Sequence, residues 1–257
     1  LLQEQYKNAS NLNARVELHR RFSTSKAHWQ HWVFEQFATA ANSRILELGC
    51  GPAHLWRDNI ERIPAGWDIT LSDFSAGMLA EAQRNLEGSA HTFRFRVIDA
   101  QTIPFESESL DVVIANHMLY HVPDRARALG EIQRVLKKGG RLYAATNGQN
   151  HLWEISDLIR RVSPEYDYDL EVRGSFTLGS GQRELAQFFE PVTVHLYEGD
   201  LEVTESEPLI EYMLSSFAKA ALTEEKVQTI REIVEQEIAE RGAFHITRST
   251  GLFEAVC

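Results

Sequence analysis

A strand-and-turn motif near residue 50 constrains this chain more than any other part of its sequence. Residues 44–48 read Arg-Ile-Leu-Glu-Leu, the pattern of a buried strand, and Gly49-Cys50-Gly51 follows directly. Glycine permits a sharp turn and lets a ligand approach backbone N–H groups, and the helix predicted to start at Ala53 adds a positive dipole end. The motif predicts a nucleotide-like or carboxylate-bearing ligand at the first strand of an open α/β sheet.

This loop differs from the turn that binds nicotinamide dinucleotides. Such turns place a third glycine three residues after the second, whereas this chain has His54 there. Glu47 also stands where those turns usually have another residue. On its own the motif fits either another nucleotide ligand or an ordinary strand-to-helix turn, so the neighbouring segments must decide.

Two acids follow the next predicted strands. Residues 67–73 form a second strand that ends in Asp73, about twenty residues beyond Gly51, where a carboxylate can reach ribose hydroxyls. Residues 92–98 form a third strand, and Asp99 follows it. The Asp99 carboxylate can accept a hydrogen bond from the exocyclic amine of a base. Both acids support a nucleotide site.

Further strands alternate with helices along the chain. The apolar run at 110–116 predicts a buried parallel strand, and 136–145 predicts a turn and a fifth strand. Late strands are predicted at 192–198 and 243–257. The fold class is therefore α/β: a Rossmann-like, doubly wound, mostly parallel seven-stranded sheet with an antiparallel last strand and helical lid segments.

We predict one domain over residues 1–257. Residues 1–42 would form an N-terminal helical lid, and residues 43–147 the nucleotide-binding core. Residues 148–257 would complete the sheet and carry a helical insertion at about 206–240, where apolar residues recur at helical spacing.

Five segments in this order resemble the motifs of class I S-adenosylmethionine-dependent methyltransferases of the small-molecule type. They are E-L-G-C-G-P at 47–52, L-S-D-F-S at 71–75, D-A at 99–100, L-D-V-V-I-A-N-H-M-L-Y-H-V-P-D at 110–124 and R-V-L-K-K-G-G at 134–140. The resemblance covers roughly residues 43–147. One departure is Ala53, where many members have glycine.

The resemblance implies S-adenosyl-L-methionine as the cofactor. We assign these residues to it: Glu47, Gly49, Cys50, Gly51, Asp73, Phe74, Met78, Asp99, Ala100 and Asn116. By the resemblance, the loop at 49–51 holds the methionine part and Asp73 the ribose. Phe74 and Met78 would cover the adenine faces, residues 99–100 would bind its edge, and Asn116 would lie near the methionine end.

The resemblance further implies methyl transfer to an oxygen, nitrogen or carbon nucleophile of a small molecule. Two other classes stay open. A non-catalytic module would keep the cofactor loop and Asp73 without needing a base. A nicotinamide-dependent oxidoreductase would share the fold, but His54 and the Asp99-Ala100 pair count against it.

Methyl transfer requires collinear reacting atoms and exclusion of water, and a hydroxyl or protonated amine acceptor also requires a base. Histidine suits that role at neutral pH. His117 and His121 follow the fourth strand, and His19 could reach the site from the lid. We predict that at least one is the base, with His117 and His19 ahead of His121. The alternatives are a backbone contact at a helix start for His117, a cap for His121 and a surface position for His19.

Three more residues are assigned to the substrate: Tyr6 and Arg15 from the lid, and Tyr120 after the fourth strand. Arg15 belongs to a basic cluster with His19, Arg20 and Arg21, and such a cluster on a helix is often only a solvated face.

Composition limits the partners. The net charge is −11, from 26 Lys and Arg against 37 Asp and Glu, which disfavours nucleic acid as a substrate. Two cysteines give no disulfide framework, and no apolar run is long enough for a membrane span. We expect a cytoplasmic monomer or homodimer with a small-molecule acceptor and no bound metal.

Overall fold

The computed structural model describes residues 10–166 and 176–257. Its helices are α1 Ser10–Phe22, α2 Trp29–Glu35, α3 His54–Asp58, α4 Ala76–Asn85, α5 Arg125–Val135, α6 Trp153–Val162, α7 Leu178–Leu185, α8 Ser206–Leu214 and α9 Glu224–Arg241. Its strands are β1 Arg44–Leu48, β2 Asp68–Asp73, β3 Phe93–Val97, β4 Leu110–Ile114, β5 Leu136–Asn147, β6 Val192–Tyr197, β7 Leu201–Val203, β8 Phe244–Ile246 and β9 Thr250–Val256.

The main sheet has seven strands in the order β3-β2-β1-β4-β5-β9-β6. The strands β1 to β5 pair in parallel, and β9 runs antiparallel between β5 and β6. The predicted fold class is confirmed, including the antiparallel last strand. The order reverses beside β1, so a crevice opens between β1 and β4 at their carboxyl ends, which is where open α/β sheets bind ligands.

Alternate residues of β1 pack on opposite faces of the sheet. Ile45 joins an apolar cluster with Trp56 and Tyr143, whereas Leu46 joins the cluster on the other face with Leu129. Because both faces are covered, the central strands read as continuous apolar runs rather than as a polar and apolar alternation. This burial fixes the strand register, and with it the direction in which the loop after β1 leaves the sheet.

A third apolar cluster joins α1 to the second half of the chain. Leu18 and Phe22 of α1 pack with Leu209 and Met213 of α8, and Leu201 of β7 belongs to the same cluster. The helix α1, which belongs to the region that we predict to be a lid, thus packs on α8 and β7. Whether this region acts as a lid stays a prediction.

The predicted strand at 243–257 was wrong in one respect, because the structure divides it in two. β8 pairs with β7 in a separate two-stranded sheet, and β9 joins the main sheet. Between them, three successive backbone N–H groups donate to side chains: Thr247 to Glu154, Arg248 to Asp200, and Ser249 to His151. These side-chain acceptors replace the ladder bonds of a strand and separate β8 from β9.

Within residues 10–166 and 176–257, no helix is both long and apolar enough to cross a membrane. The same residues contain no group of three or more His, Cys, Asp or Glu arranged to hold a metal ion.

Candidate active site

A cavity of about 1280 Å³ lies where β1, β2 and β4 end. Of the predicted site residues, Tyr6 lies outside the described residues and all the others line this cavity. They are Arg15, His19, Glu47, Gly49, Cys50, Gly51, Asp73, Phe74, Met78, Asp99, Ala100, Asn116, His117, Tyr120 and His121. The structure brings them together, and the role of each one stays a prediction.

The loop after β1 adopts a backbone that suits glycine. Gly49 has φ of 67° and Gly51 has φ of 53°, both in the left-handed region. A Cβ atom on Gly49 would lie 2.8 Å from the Cβ atom of Met118, closer than side chains tolerate. The loop therefore passes close beneath the segment after β4 and keeps its backbone accessible to the cavity.

Asp73 fastens this loop to the end of β2. Its Oδ2 atom accepts a hydrogen bond from Gly51 N at 3.0 Å, and its Oδ1 atom accepts one from Ser75 N at 2.8 Å. Burial raises the pKa of Asp73, and these backbone donors oppose that shift. The carboxylate can accept further hydrogen bonds, so Asp73 can still bind a ligand hydroxyl group.

Asp99 and two apolar side chains form the next part of the wall. The Asp99 carboxylate is oriented by Gln101, which donates to Oδ1 from its backbone N at 2.8 Å and from Nε2 at 3.0 Å. Met78 is buried, whereas the ring of Phe74 is 64% exposed. An exposed aromatic ring beside a buried thioether can enclose a flat apolar group from both sides.

Glu47 lies at the base of the cavity with 3% of its surface exposed. Trp56 Nε1 donates to its Oε2 atom at 2.5 Å. Burial raises the pKa of Glu47 to about 7; the hydrogen bond from Trp56 opposes this, and the charge of Asp73 adds to it. A cationic group in the cavity would favour the ionised form of this carboxyl.

The Cys50 thiol and the Asn116 side-chain amide also line the cavity, and they differ in their capacity to interact with a ligand. Cys50 is buried, and burial raises the pKa of its thiol, so it stays protonated and unreactive at neutral pH. Asn116 follows β4, and its buried Oδ1 atom has no hydrogen-bond partner among the described residues. Because a buried acceptor without a donor is costly, Asn116 is well placed to bind a ligand N–H group.

The three histidines predicted as bases all border the cavity. His117 has φ of 52°, an uncommon conformation for a residue other than glycine, and its ring lies 5.4 Å from that of Trp29. His19 stacks on His151 with ring centroids 5.9 Å apart. His121 packs against Tyr120, with centroids 4.4 Å apart.

Burial lowers the pKa of each of these three histidines to about 4. Neighbouring ionisable groups add to the effect on the pKa: Arg248 for His19, His121 for His117, and Arg15 for His121. All three rings are therefore neutral at pH 7 and can accept a proton. None of the three histidines has to release a proton before it can act as a base.

Arg15 reaches the cavity from α1. Its Nη2 atom donates to the backbone oxygen of Ser215 at 2.7 Å, and its Nε atom donates to Ser215 Oγ at 3.2 Å. The guanidinium is thus held by neutral groups that follow α8, so it is not a freely solvated surface charge.

Several lining residues were not predicted from the sequence, among them Trp29, His151, Tyr197, Tyr212 and Arg248. Of these five, His151 alone had a usable signal, since it follows β5, and parallel strands end at one edge of a sheet. The others reach the cavity from antiparallel or helical segments whose neighbours are distant in sequence.

Comparison with known proteins identifies the core around this cavity. Residues 46–144 match a family model described as a methyltransferase domain. Over residues 46–144, the chain is therefore similar to a methyltransferase domain. The match favours this interpretation over a nicotinamide-dependent oxidoreductase, and it spans the loop after β1, Asp73, Asp99 and His117.

Curated methyltransferases are similar to part of this chain. A demethylmenaquinone methyltransferase of Lactiplantibacillus plantarum is 33% identical over 124 residues, which are 48% of this chain and 52% of that protein. The ubiquinone/menaquinone biosynthesis C-methyltransferase UbiE of Geotalea daltonii is 30% identical over 116 residues, 44% of this chain and 49% of that protein. The matched part spans about half the length of these relatives.

Solved structures resemble the chain over most of its length. The phosphoethanolamine N-methyltransferase 2 of Haemonchus contortus, solved with phosphomonomethylethanolamine and S-adenosylhomocysteine, has a TM-score of 0.57 and 18% identity. The similarity covers 96% of this chain and 57% of that one. At this identity, the likeness shows the fold.

Proposed function

We propose that this protein transfers a methyl group from S-adenosylmethionine to a small-molecule acceptor bound in the same cavity. The observation that carries the proposal is that one cavity has two chemically different walls, one suited to the cofactor and one suited to the acceptor. Acceptor groups and the accessible loop after β1 form one part of the cavity, and neutral histidines with aromatic rings form another.

The first part fits the cofactor. Asp73 can accept from the ribose hydroxyls and Asp99 from an exocyclic amine. Phe74 and Met78 can enclose a base. The unpartnered Asn116 Oδ1 atom and the Glu47 carboxyl can bind an ammonium group. When bound, S-adenosylmethionine supplies an electrophilic methyl group on a positively charged sulfur.

The second part would bind the acceptor and accept its proton. His117 directly follows Asn116 and has a neutral ring, so it can take a proton from an acceptor hydroxyl or amine without first losing its own. Trp29 and Tyr197 pack together with ring centroids 5.0 Å apart and keep water from this side of the cavity. His19 is the second candidate base.

Two observations support a small acceptor of this kind, and a third concerns location. One relative is named a C-methyltransferase of quinone biosynthesis, which supports an activated carbon among the oxygen, nitrogen and carbon nucleophiles considered. The net charge of −11 supports a small molecule rather than nucleic acid. Both cysteines are free, which supports a cytoplasmic location. A monomer or homodimer is part of the same proposal.

The test is a screen for S-adenosylhomocysteine formation by mass spectrometry. Purified protein and S-adenosylmethionine are incubated with phenols, naphthols, reduced quinones, amines and carboxylates, each alone. We expect turnover that depends on one acceptor class, and at least a hundredfold loss in His117→Ala or His19→Ala. His91→Ala, which alters a histidine outside the cavity, is the control. Absence of turnover with every class, although S-adenosylmethionine binds, would support a non-catalytic module instead.

A further inference from the structure

Charged groups are distributed unevenly around the cavity. The carboxylates of Glu47, Asp73 and Asp99 belong to the part that we assign to the cofactor, whereas Arg15 and Arg248 belong to the other part. The charge of Arg248 lowers the pKa of His19, and no carboxylate contributes to that shift. The part that faces the acceptor is therefore positive, although the chain as a whole is acidic.

Arg248 is a buried cation whose side chain has no carboxylate as a hydrogen-bond partner among the described residues, although the Asp200 carboxylate accepts from its backbone N and favours its charge. The Arg248 side chain donates to Ser23 Oγ at 2.8 Å, to Ser25 Oγ at 2.6 Å and to the backbone oxygen of Glu198 at 2.8 Å, all of them neutral acceptors. The residue is 8% exposed, and its buried Nε–H group has no hydrogen-bond partner in the described chain. Burial of an unpaired charge is costly unless an anion binds beside it.

His151 supplies a second donor from the same place in the fold. The backbone N of Ser249, the residue after Arg248, donates to His151 Nδ1 at 3.2 Å. A backbone N–H can only donate, so Nδ1 carries no proton and the neutral ring must carry its proton on Nε2. The strand break that sets Arg248 thus also fixes the Nε2–H group of His151 as a donor, on a side chain that lines the cavity and stacks on His19.

We propose that Arg248 and His151 bind an anionic oxygen of the methyl acceptor, so that the acceptor is a carboxylate or an ionised phenol or enol. The inference rests on the proposed function and narrows its substrate. Two unengaged N–H donors suit one such group, and Arg15 adds positive charge from α1. An oxygen held as an anion also enriches the adjacent carbon or oxygen in electrons, which methyl transfer requires of a nucleophile.

The experiment compares matched anionic and neutral probes by calorimetry, with S-adenosylhomocysteine present at saturation. The pairs are benzoate with benzamide, and 4-nitrophenolate with 4-nitroanisole. We expect the wild-type protein to bind at least one anion about tenfold more tightly than its neutral counterpart. The pair that shows the preference distinguishes a carboxylate from a phenolate acceptor.

Variants assign the preference to the two donors. Arg248→Met should remove the preference for the anionic probe, because it weakens binding of the anion and leaves binding of the neutral probe unchanged. Arg248→Lys should keep part of the preference, and His151→Phe should reduce it. Arg241→Met changes the net charge equally at an exposed helix end and should leave it intact. If Arg248→Met also fails to bind S-adenosylhomocysteine, its fold is altered and it does not test the proposal. His151→Phe is then the deciding variant.

Two results would contradict different claims. Equal affinity for anionic and neutral probes, with S-adenosylhomocysteine bound, overturns the anionic acceptor and leaves the proposed methyl transfer intact. A preference for phenyl phosphate over both anions also overturns it, since a phosphate needs more donors than this pair offers. Failure of the wild-type protein to bind S-adenosylhomocysteine contradicts the proposed function itself.

Discussion

The guanidinium of Arg248 lies over the ring of Tyr197, with 4.2 Å between Cζ and the ring centroid. This distance is within the range of a cation–π interaction. The Tyr197 hydroxyl donates to the backbone oxygen of Ala27 at 2.6 Å, and the Tyr197 ring packs edge-on against Trp29. Together these three contacts join the end of β6, the break before β9 and the start of α2 into a single wall of the cavity.

The ring of Tyr197 should matter more to stability than its hydroxyl. Tyr197→Phe removes one hydrogen bond and should lower the free energy of unfolding by about 1 kcal/mol. Tyr197→Ala also removes a buried ring, and should lower it by about 3–5 kcal/mol. Urea denaturation measures both. Equal losses in the two variants would show that the ring makes no separate contribution.

Asp73 should control affinity for S-adenosylhomocysteine. Asp73→Ala leaves ribose hydroxyls without an acceptor and releases the N–H groups of Gly51 and Ser75, so affinity should fall by about 1–3 kcal/mol. Asp68→Asn, at the other end of the same strand, is the control and should bind as the wild type does. Unchanged affinity in Asp73→Ala would remove this residue from the cofactor site.

The loop after β1 should tolerate no side chain at Gly49. Gly49→Ala combines a left-handed φ with a Cβ atom 2.8 Å from Met118 Cβ, so the free energy of unfolding should fall by about 1–3 kcal/mol, with loss of cofactor binding. Gly130→Ala is the matched control. Gly130 lies in α5 with its nearest neighbour 3.8 Å from the added Cβ atom, so alanine there should stabilise the protein by about 0.5–1 kcal/mol.

Glu47 should make stability depend on pH. Its pKa is raised to about 7 in the folded state, so between the ordinary glutamate pKa and 7 the folded protein binds the extra proton, and ionisation destabilises the fold as pH rises through 7. Glu47→Gln removes this titration. Relative to wild type, the variant should gain about 1–3 kcal/mol between pH 5 and pH 8.

Denaturation of both proteins at several pH values measures that difference. The comparison is needed because the buried histidines act in the opposite sense. Their pKa values are lowered to about 4, so their unfavourable effect grows as pH falls below the ordinary histidine pKa, and it is the same in both proteins. A difference that does not change with pH would contradict the raised pKa of Glu47.

The sequence predicted the core of the fold because its signals are local. The apolar run before Gly49 and the acid at Asp73 are each recognised from residues adjacent in the sequence. Burial of β1 on both faces then fixes where the loop after it lies. Tyr6 lies outside the described residues, so its assignment stays a prediction.

The acceptor side depends on contacts that no local pattern contains. The break between β8 and β9 arises because Glu154, Asp200 and His151, which lie between 48 and 98 residues earlier, take the backbone N–H groups of the strand. Arg248 reads in the sequence as one residue of a predicted strand. Only its burial and its contact with Tyr197 show that it belongs to the cavity.

The central claim is that the cavity binds S-adenosylmethionine beside an acceptor. The most direct test is calorimetric titration of the purified protein with S-adenosylhomocysteine, S-adenosylmethionine, NAD and NADP in parallel, because it requires no knowledge of the acceptor. We predict micromolar binding of the first two and none of the dinucleotides. Binding of NAD instead, or of none of the four, would contradict the assignment of the cofactor site.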